Sequence, residues 1–255
     1  MLELNRIYLG DCLELMNDLP DKSIDMICCD LPYGVLKPTN PNAIWDKPLP
    51  LDLLWKQYKR IIKDNGAIVL FGQGMFTSDL MQSNKSMWRY NLIWNKCLVT
   101  GFLNANRMPL RQHEDILIFY KTLPKYNPQM VKAPWHKRNH RRSGVAKNNC
   151  YGNYGETVSN IVSDEKFPTS IIEIPKRDNN KVYHPTEKSI ELLRWLIRTY
   201  TDKGDIVLDN CCGSGTTCIA AIRDQRRFIG MELSEKFYNI ACERIESEPK
   251  QIELF

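Results

Sequence analysis

Asp30-Leu31-Pro32-Tyr33-Gly34 puts a carboxylate, a rigid backbone and an aromatic ring on consecutive residues. Asp30 and the carbonyl of Leu31 could both accept hydrogen bonds from one exocyclic amine, and Tyr33 offers a face for stacking. Beside the restrained Pro32, this set suits a pocket for a flat, amine-bearing ring. Alone, it is equally an ordinary strand-to-loop turn with an exposed Asp. A second constellation lies near the other end of the chain, Asp209-Asn210-Cys211-Cys212-Gly213-Ser214-Gly215-Thr216-Thr217. Glycines there let the backbone approach a ligand closely, and the N-terminus of the following helix attracts its negative group. Glu232 ends the next apolar run, where a carboxylate can bind two ribose hydroxyls. A lone Gly-x-Gly also fits a nicotinamide dinucleotide or a plain turn, and Cys218 stands where a third glycine would be. Asp209 just ahead of the turn disfavours a pyrophosphate and suits a cationic amino group.

The elements that must hold these groups follow from hydrophobic periodicity. Ile7-Tyr8-Leu9 reads as a strand, and Gly10-Asp11 leads into a helix carrying Leu13 and Met16. Ile24 to Cys29 is a second strand that delivers Asp30, and the Pro-rich stretch beyond Gly34 reads as a mobile loop. Leu53, Leu54, Tyr58, Ile61 and Ile62 recur at helical spacing, with Gly66 marking the helix end. Strands are expected at Ala67–Phe71, Tyr90–Trp94 and Ile116–Tyr120. After an irregular stretch come a helix over Glu187–Tyr200, a strand Ile206–Leu208, a helix from Thr216, a strand Phe228–Met231 and a last helix capped by Ser234. Strands that are continuously apolar rather than alternating, interleaved with helices, imply a mostly parallel sheet covered on both faces.

The rhythm stops between Lys121 and Lys181. This stretch carries Lys125, Lys132, Lys137, Arg138, Arg141, Arg142 and Lys147, has no acid until Glu156, and interleaves Tyr126, Trp135, Tyr151 and Tyr154. A charge run by itself is usually a solvated loop, but an acid-free one with aromatics favours a nucleic acid. His136 and His140 sit four apart without an acidic or thiol partner spaced with them, so they belong to the basic face.

The 255 residues suffice for one domain with an insertion or for two, and 43% hydrophobic with 25% charged residues describes a globular chain. A net charge of +5 does not itself demand a polyanion. Charged residues interrupt the first turns and no apolar run is long enough to span a bilayer, so neither a secretory signal nor a membrane partner is expected. The nine cysteines are odd in number and sit mostly in apolar segments, which favours reduced thiols and a cytoplasmic location. No C-x-x-C pair occurs, and no metal is expected.

Together the motifs resemble the beta-class S-adenosylmethionine-dependent DNA amino-methyltransferases, the permuted type with the catalytic motif first and the cofactor loop last. Asp30-Leu31-Pro32-Tyr33 resembles the family's Asp-Pro-Pro-Tyr, and Asp209 with Gly213-Ser214-Gly215-Thr216 its Asp-Pro-Phe-x-Gly-Ser-Gly-Thr. His184-Pro185-Thr186-Glu187-Lys188-Ser189 resembles its His-Pro-Thr-Gln-Lys-Pro, and Gly10-Asp11 its N-terminal Gly-Asp. Gly34 followed by Trp45-Asp46 resembles a subgroup of phage and bacterial adenine enzymes. The departures are Leu31 for proline, Asn210 and Cys211 for Pro and Phe, and Glu187 and Ser189 for Gln and Pro.

The resemblance implies a doubly wound, mostly parallel seven-stranded sheet of the permuted Rossmann-like type. Residues 1–120 would form the catalytic half, 121–181 an inserted target-recognition region, 182–249 the cofactor half and 250–255 a tail. It implies S-adenosylmethionine as cofactor and methyl transfer to N6 of an adenine flipped out of double-stranded DNA, with N4-cytosine methylation, an RNA or protein-glutamine methyltransferase, or a catalytically silent DNA-binding regulator as rivals. Asp30, Leu31, Pro32 and Tyr33 would be catalytic. Asp11, Cys12, His184, Thr186, Lys188, Asp209, Cys211, Gly213, Gly215, Thr216, Thr217 and Glu232 would surround the cofactor, with Thr186, Lys188 and Thr216 on its carboxylate. Lys132, Lys137, Arg138, Arg141, Arg142 and Lys147 would contact DNA, and a homodimer and a cognate restriction enzyme are left open.

Overall fold

The computed structural model describes residues 2–34, 46–132, 164–176, 183 and 187–249. Strands β1 (Arg6–Leu9), β2 (Ile24–Cys29), β3 (Ile62–Gly72), β4 (Trp88–Thr100), β5 (Arg111–Phe119), β8 (Ile171–Glu173), β9 (Ile206–Asp209) and β10 (Arg227–Glu232) form one sheet in the order β1-β10-β9-β2-β3-β5-β4-β8. The β3–β5 and β5–β4 pairs are antiparallel and every other pair in this sheet is parallel. Helices α1 (Cys12–Leu15), α2 (Leu51–Ile61), α3 (Met75–Ser83), α4 (Ile190–Tyr200), α5 (Thr216–Arg223) and α6 (Glu235–Ser247) complete this unit.

The continuous apolar strands are explained by burial of both faces. In β2, Met26 and Cys28 pack with Leu192, Leu196 and Ala220 of α4 and α5, while Ile27 and Cys29 pack with Leu54, Trp55 and Tyr58 of α2. In β3, Val69 and Phe71 face the first cluster and Ile68 and Leu70 the second. A strand with an apolar neighbour above and below has no polar face to show in its sequence.

Four expectations are corrected. The sheet has eight strands instead of seven, because Ile171–Glu173 adds to the outer side of β4, with Ile93 opposite Ile171. This strand is too short and too exposed, with only its central Ile172 buried, to leave an apolar signature. Gly66 does not end a helix: α2 stops at Ile61 and β3 starts at Ile62, and Gly66 lies in β3, where a Cβ would come within 2.8 Å of the Asp25 carbonyl oxygen. Helix α4 begins at Ile190 rather than Glu187, with Ser189 at its N-cap position. Ser234 occupies the N-cap position of α6 without a side-chain capping bond, and its backbone N–H binds Glu232 Oε1 at 2.8 Å.

Residues up to Asn127 together with those from Ser170 onward form one compact unit, and Pro128–Thr169 a second. The flanks Lys121–Asn127 and Ser170–Lys176 therefore belong with the sheet. In the second unit β6 (Val131–Lys132) pairs antiparallel with β7 (Glu165–Lys166), which sets exposed Lys132 opposite Glu165. Among the described residues no helix is long and apolar enough to cross a membrane.

Candidate active site

Strands β2 and β9 are parallel neighbours, with Met26 opposite Val207 and Ile27 opposite Leu208. Asp30 follows the last residue of β2 and Asp209 ends β9, so two motifs far apart in the chain emerge side by side at one sheet edge. The chain leaves β2 toward α2 on one face and β9 toward α5 on the other. Neighbouring strands whose helices depart to opposite faces leave a crevice at their carboxyl ends, the place where open α/β sheets hold ligands. Glu232 at the end of β10 and Gly10-Asp11 after β1 lie on the same edge, tied by the Gly10 N–H donating to the Glu232 carbonyl at 2.9 Å.

The carboxylate of Asp30 is half-buried and held from both sides. Tyr33 donates its hydroxyl to Oδ1 at 2.9 Å, and Lys188 Nζ approaches Oδ2 at 2.6 Å. Lys188 also meets Glu114 Oε2 at 3.1 Å, and Lys96 meets Glu114 Oε1 at 3.1 Å. Two cations and two carboxylates thus alternate in a buried row that ends on Asp30. Burial pushes the Asp30 carboxyl above the usual range and Lys188 only partly holds it back. For Glu114, burial acts upward but Lys188 and Lys96 bring it below its ordinary value. Burial likewise opposes the charge of Lys188, yet Asp30 and Glu114 more than offset it and its pKa is raised. The ammonium of Lys188, expected on a cofactor carboxylate, lies between Asp30 and Glu114.

Leu31 buries its side chain, and the ring of Tyr33 stacks on Phe76 with centroids 4.7 Å apart. Gly34 has φ +69°, and a Cβ there would collide with the ring of Pro48. Its N–H donates to Asp46 Oδ1 at 2.9 Å, which accounts for the glycine and the aspartate of the Gly34…Asp46 pattern. Trp45 and the rest of residues 35–45, where a mobile loop is expected, lie outside the described residues, as do His184 and Thr186 and the basic Lys137, Arg138, Arg141, Arg142 and Lys147.

The glycine turn is built as a cradle. Gly213 and Gly215 have φ +52° and +78°, and a Cβ on Gly215 would sit 3.0 Å from that of Ala241. The missing third glycine is compensated from the strand side: Gly230 brings β10 against α5, and a Cβ there would meet Cys218 Sγ at 3.0 Å. Glu232 Oε2 accepts from the Gly213 N–H at 2.8 Å, which aims the carboxylate along the turn. Asp209 accepts from the Cys211 N–H at 3.1 Å and from the Thr217 hydroxyl, and burial pushes its pKa up to about 6. No lysine or arginine among the described residues pairs with it. Asn210 takes the place of a proline by closing a buried link between the layers, its Oδ1 accepting from the Tyr58 hydroxyl at 2.5 Å and its amide facing the thiols of Cys12 and Cys211 at 3.5 Å. Asp11 caps α1 by accepting from the Leu13 N–H at 2.7 Å. Thr216 donates to Glu187 Oε1 at 2.9 Å, and Arg244 pairs with the same oxygen at 2.9 Å while donating to the Ser214 carbonyl at 2.7 Å.

Glu114, Lys96 and Arg244 were missed from the sequence, although their register was a signal. Glu114 precedes buried Ile116 and Ile118 at strand spacing, Lys96 follows Leu92 and Trp94, and Arg244 continues Phe237 and Ala241 at helical spacing. A charge on the buried stripe of an element needs a partner inside.

The family described as DNA methylase, of N6/N4 methyltransferases, matches residues 24–243. The type II methyltransferase M.HinfI of Haemophilus influenzae is 29% identical, covering 98% of this chain and 72% of its own. The DNA adenine methyltransferase YhdJ of Escherichia coli is 26% identical, covering 96% and 83%. Among solved structures, the cytosine-N4-specific PvuII DNA methyltransferase has the same fold at 16% identity, with a TM-score of 0.68 over 96% of this chain and 87% of that one. The M1.HpyAVI–SAM complex does so at 22% identity, with a TM-score of 0.60 over 94% and 98%. A match across most of the chain, on a crevice flanked by Asp30 and Asp209, makes this protein a member of the N6/N4 DNA methylase family.

Proposed function

We propose that the chain is a site-specific DNA methyltransferase that moves the methyl group of S-adenosylmethionine to the exocyclic N6 of an adenine turned out of the duplex. The observation that carries this reading is the emergence of Asp30 and Asp209 from adjacent strands at the switch point of the sheet. The cradle fits the cofactor: a buried carboxylate with no described cation beside it suits an ammonium group, and Glu232 suits ribose hydroxyls, since each of its oxygens keeps a second lone pair beyond its backbone bond. When bound, S-adenosylmethionine supplies a methyl group on a positively charged sulfur.

The residues of this chain do the rest by orientation and charge. An adenine amine is a poor nucleophile because its lone pair is delocalised into the ring. Asp30 and the Leu31 carbonyl, both accepting from that amine, hold its nitrogen pyramidal and turn the lone pair toward the methyl group. Positive charge developing on the nitrogen is met by the Asp30 carboxylate; as the N–C bond forms the methyl–sulfur bond breaks, a neutral thioether leaves, and the surplus N–H proton passes to solvent by way of the Asp30 carboxylate. Lys188 and the Tyr33 hydroxyl hold that carboxylate in place, and the ring of Tyr33, backed by Phe76, receives the base. Asp11, Cys12, Cys211, Gly213, Gly215 and Thr217 line the cofactor, and Thr216 with His184 and Thr186 takes its amino-acid end. The acid-free stretch around Lys132 to Lys147 contacts phosphates.

Two measurements test it. Methylation-sensitive sequencing of DNA from expressing cells should report N6-methyladenine within one short motif; modified cytosine would replace the adenine assignment, and no modification would leave a silent binder. Asp30→Ala should abolish transfer of a labelled methyl group while cofactor binding stays measurable, and turnover in that variant would refute the role given to Asp30.

A further inference from the structure

Strands β4 and β5 run past the end of β3. Gly72, the last residue of β3, lies opposite Asp115, whereas the β4–β5 ladder continues to Asn95 opposite His113 and Thr100 opposite Arg111. Because β5 runs antiparallel to β3, this hairpin overhangs the same edge from which Asp30, Asp209 and Glu232 emerge. Its root is the Lys96–Glu114 pair, one ion pair removed from Lys188 and Asp30.

The overhang has an unusual surface. Leu103 is 100% exposed, Phe102 66% and Met108 55%. Between Asn95 and His113 there is no Asp or Glu, while Arg107 and Arg111 are exposed. The tip is held by its own backbone: Gly101 turns at φ +93°, Asn104 N–H donates to the Gly101 carbonyl at 2.8 Å, and Arg107 N–H donates to the Asn104 carbonyl at 2.8 Å. Arg111 Nη1 donates to Gln73 Oε1 at 2.6 Å, which ties the hairpin to the turn ahead of Phe76, the residue stacked on Tyr33. A large exposed apolar pair, followed by two exposed arginines without any acid between, fits a polyanion whose interior is apolar.

We infer that Phe102 and Leu103 form a wedge that enters a DNA duplex beside the extruded base, with Arg107 and Arg111 on the adjoining phosphates. Turning a base out leaves its neighbours unstacked, and an apolar side chain in the gap restores contact that water would otherwise fill. The inference rests on the base-flipping reading above, and it assigns a DNA contact outside the basic stretch of residues 121–181.

The test uses the full chain, with Phe102→Ala/Leu103→Ala compared with wild type on a duplex carrying the motif found by sequencing. With 2-aminopurine at the target position, the fluorescence rise on binding should fall in the variant, and kcat/KM on the matched duplex should drop by roughly tenfold or more. An abasic site opposite the target, which opens the pair beforehand, should restore kcat/KM to within about threefold of wild type. Unchanged Tm and cofactor affinity are expected. Equal loss on both duplexes, or no loss on the matched one, overturns the wedge. So does a wild-type dimer that the substitutions convert to a monomer with base opening retained, which would assign the patch to a second copy. Absence of methyl transfer by wild type would sink the functional reading itself, whereas an active wild type with an unmoved variant sinks only the wedge.

Discussion

Replacing Asp209 by Asn separates what this carboxylate costs the fold from what it does for the ligand. Its pKa is pushed up to about 6, from an ordinary value of 3.8, because it is buried. A carboxyl that holds its proton more tightly folded than unfolded favours the fold at low pH. Its penalty begins as pH rises past the unfolded value and is complete above about 6. A difference of about two units corresponds to roughly 3 kcal/mol at neutral pH. Asn avoids this penalty but exchanges one acceptor for a donor where Thr217 now donates, which returns about 1 kcal/mol. The net expectation is about 2 kcal/mol of stabilisation at pH 7.5, roughly 4–8 °C in Tm for a chain of this length. The gain should vanish near pH 4, where wild-type Asp209 is protonated. Thermal melts of both proteins from pH 4 to 8 measure the difference, and calorimetric titration with S-adenosylmethionine should show binding lost in the variant. A stability difference that stays constant from pH 4 to pH 7.5 would refute the buried-charge reasoning; cofactor affinity equal to wild type would refute the pairing with an ammonium group.

Lys188→Met should move the acid limb of the kcat/KM profile to higher pH, because Lys188 is the main group holding the Asp30 carboxyl down against burial. Activity should partly return on the alkaline side, and an unmoved limb would mean that Asp30 does not titrate in turnover. Tyr58→Phe leaves the buried Asn210 oxygen without its donor. It should lower stability by about 1–3 kcal/mol in urea unfolding; an unchanged midpoint would show that the link contributes nothing.

Much of the site was legible because its chemistry is local. The run Ile24–Cys29 had to end a buried strand before Asp30, and Asp209 before a glycine turn had to head a helix, whatever else the chain did. The number of strands was not, since Ile171–Glu173 buries a single side chain and gains its place only by lying beside β4. The role of Lys188 was also out of reach. Next to a proline-threonine motif it reads as a cofactor ligand, and only the approach of β5 brings Glu114 to its other side. Gly66 looked like a helix terminator because helix ends and crowded strands both require the absence of a Cβ.

By itself, then, the sequence determined which groups could accept from an amine, which turn could cradle a ligand and that the sheet is covered on both faces, because each depends on a few adjacent residues or on one period. The tertiary structure decided that Asp30 and Asp209 are neighbours, that the row from Lys96 to Asp30 exists and that Phe102 and Leu103 are left exposed on the hairpin that runs past the end of β3. Each of these depends on strand order and register, which bring together residues whose separation along the chain carries no trace of the contact.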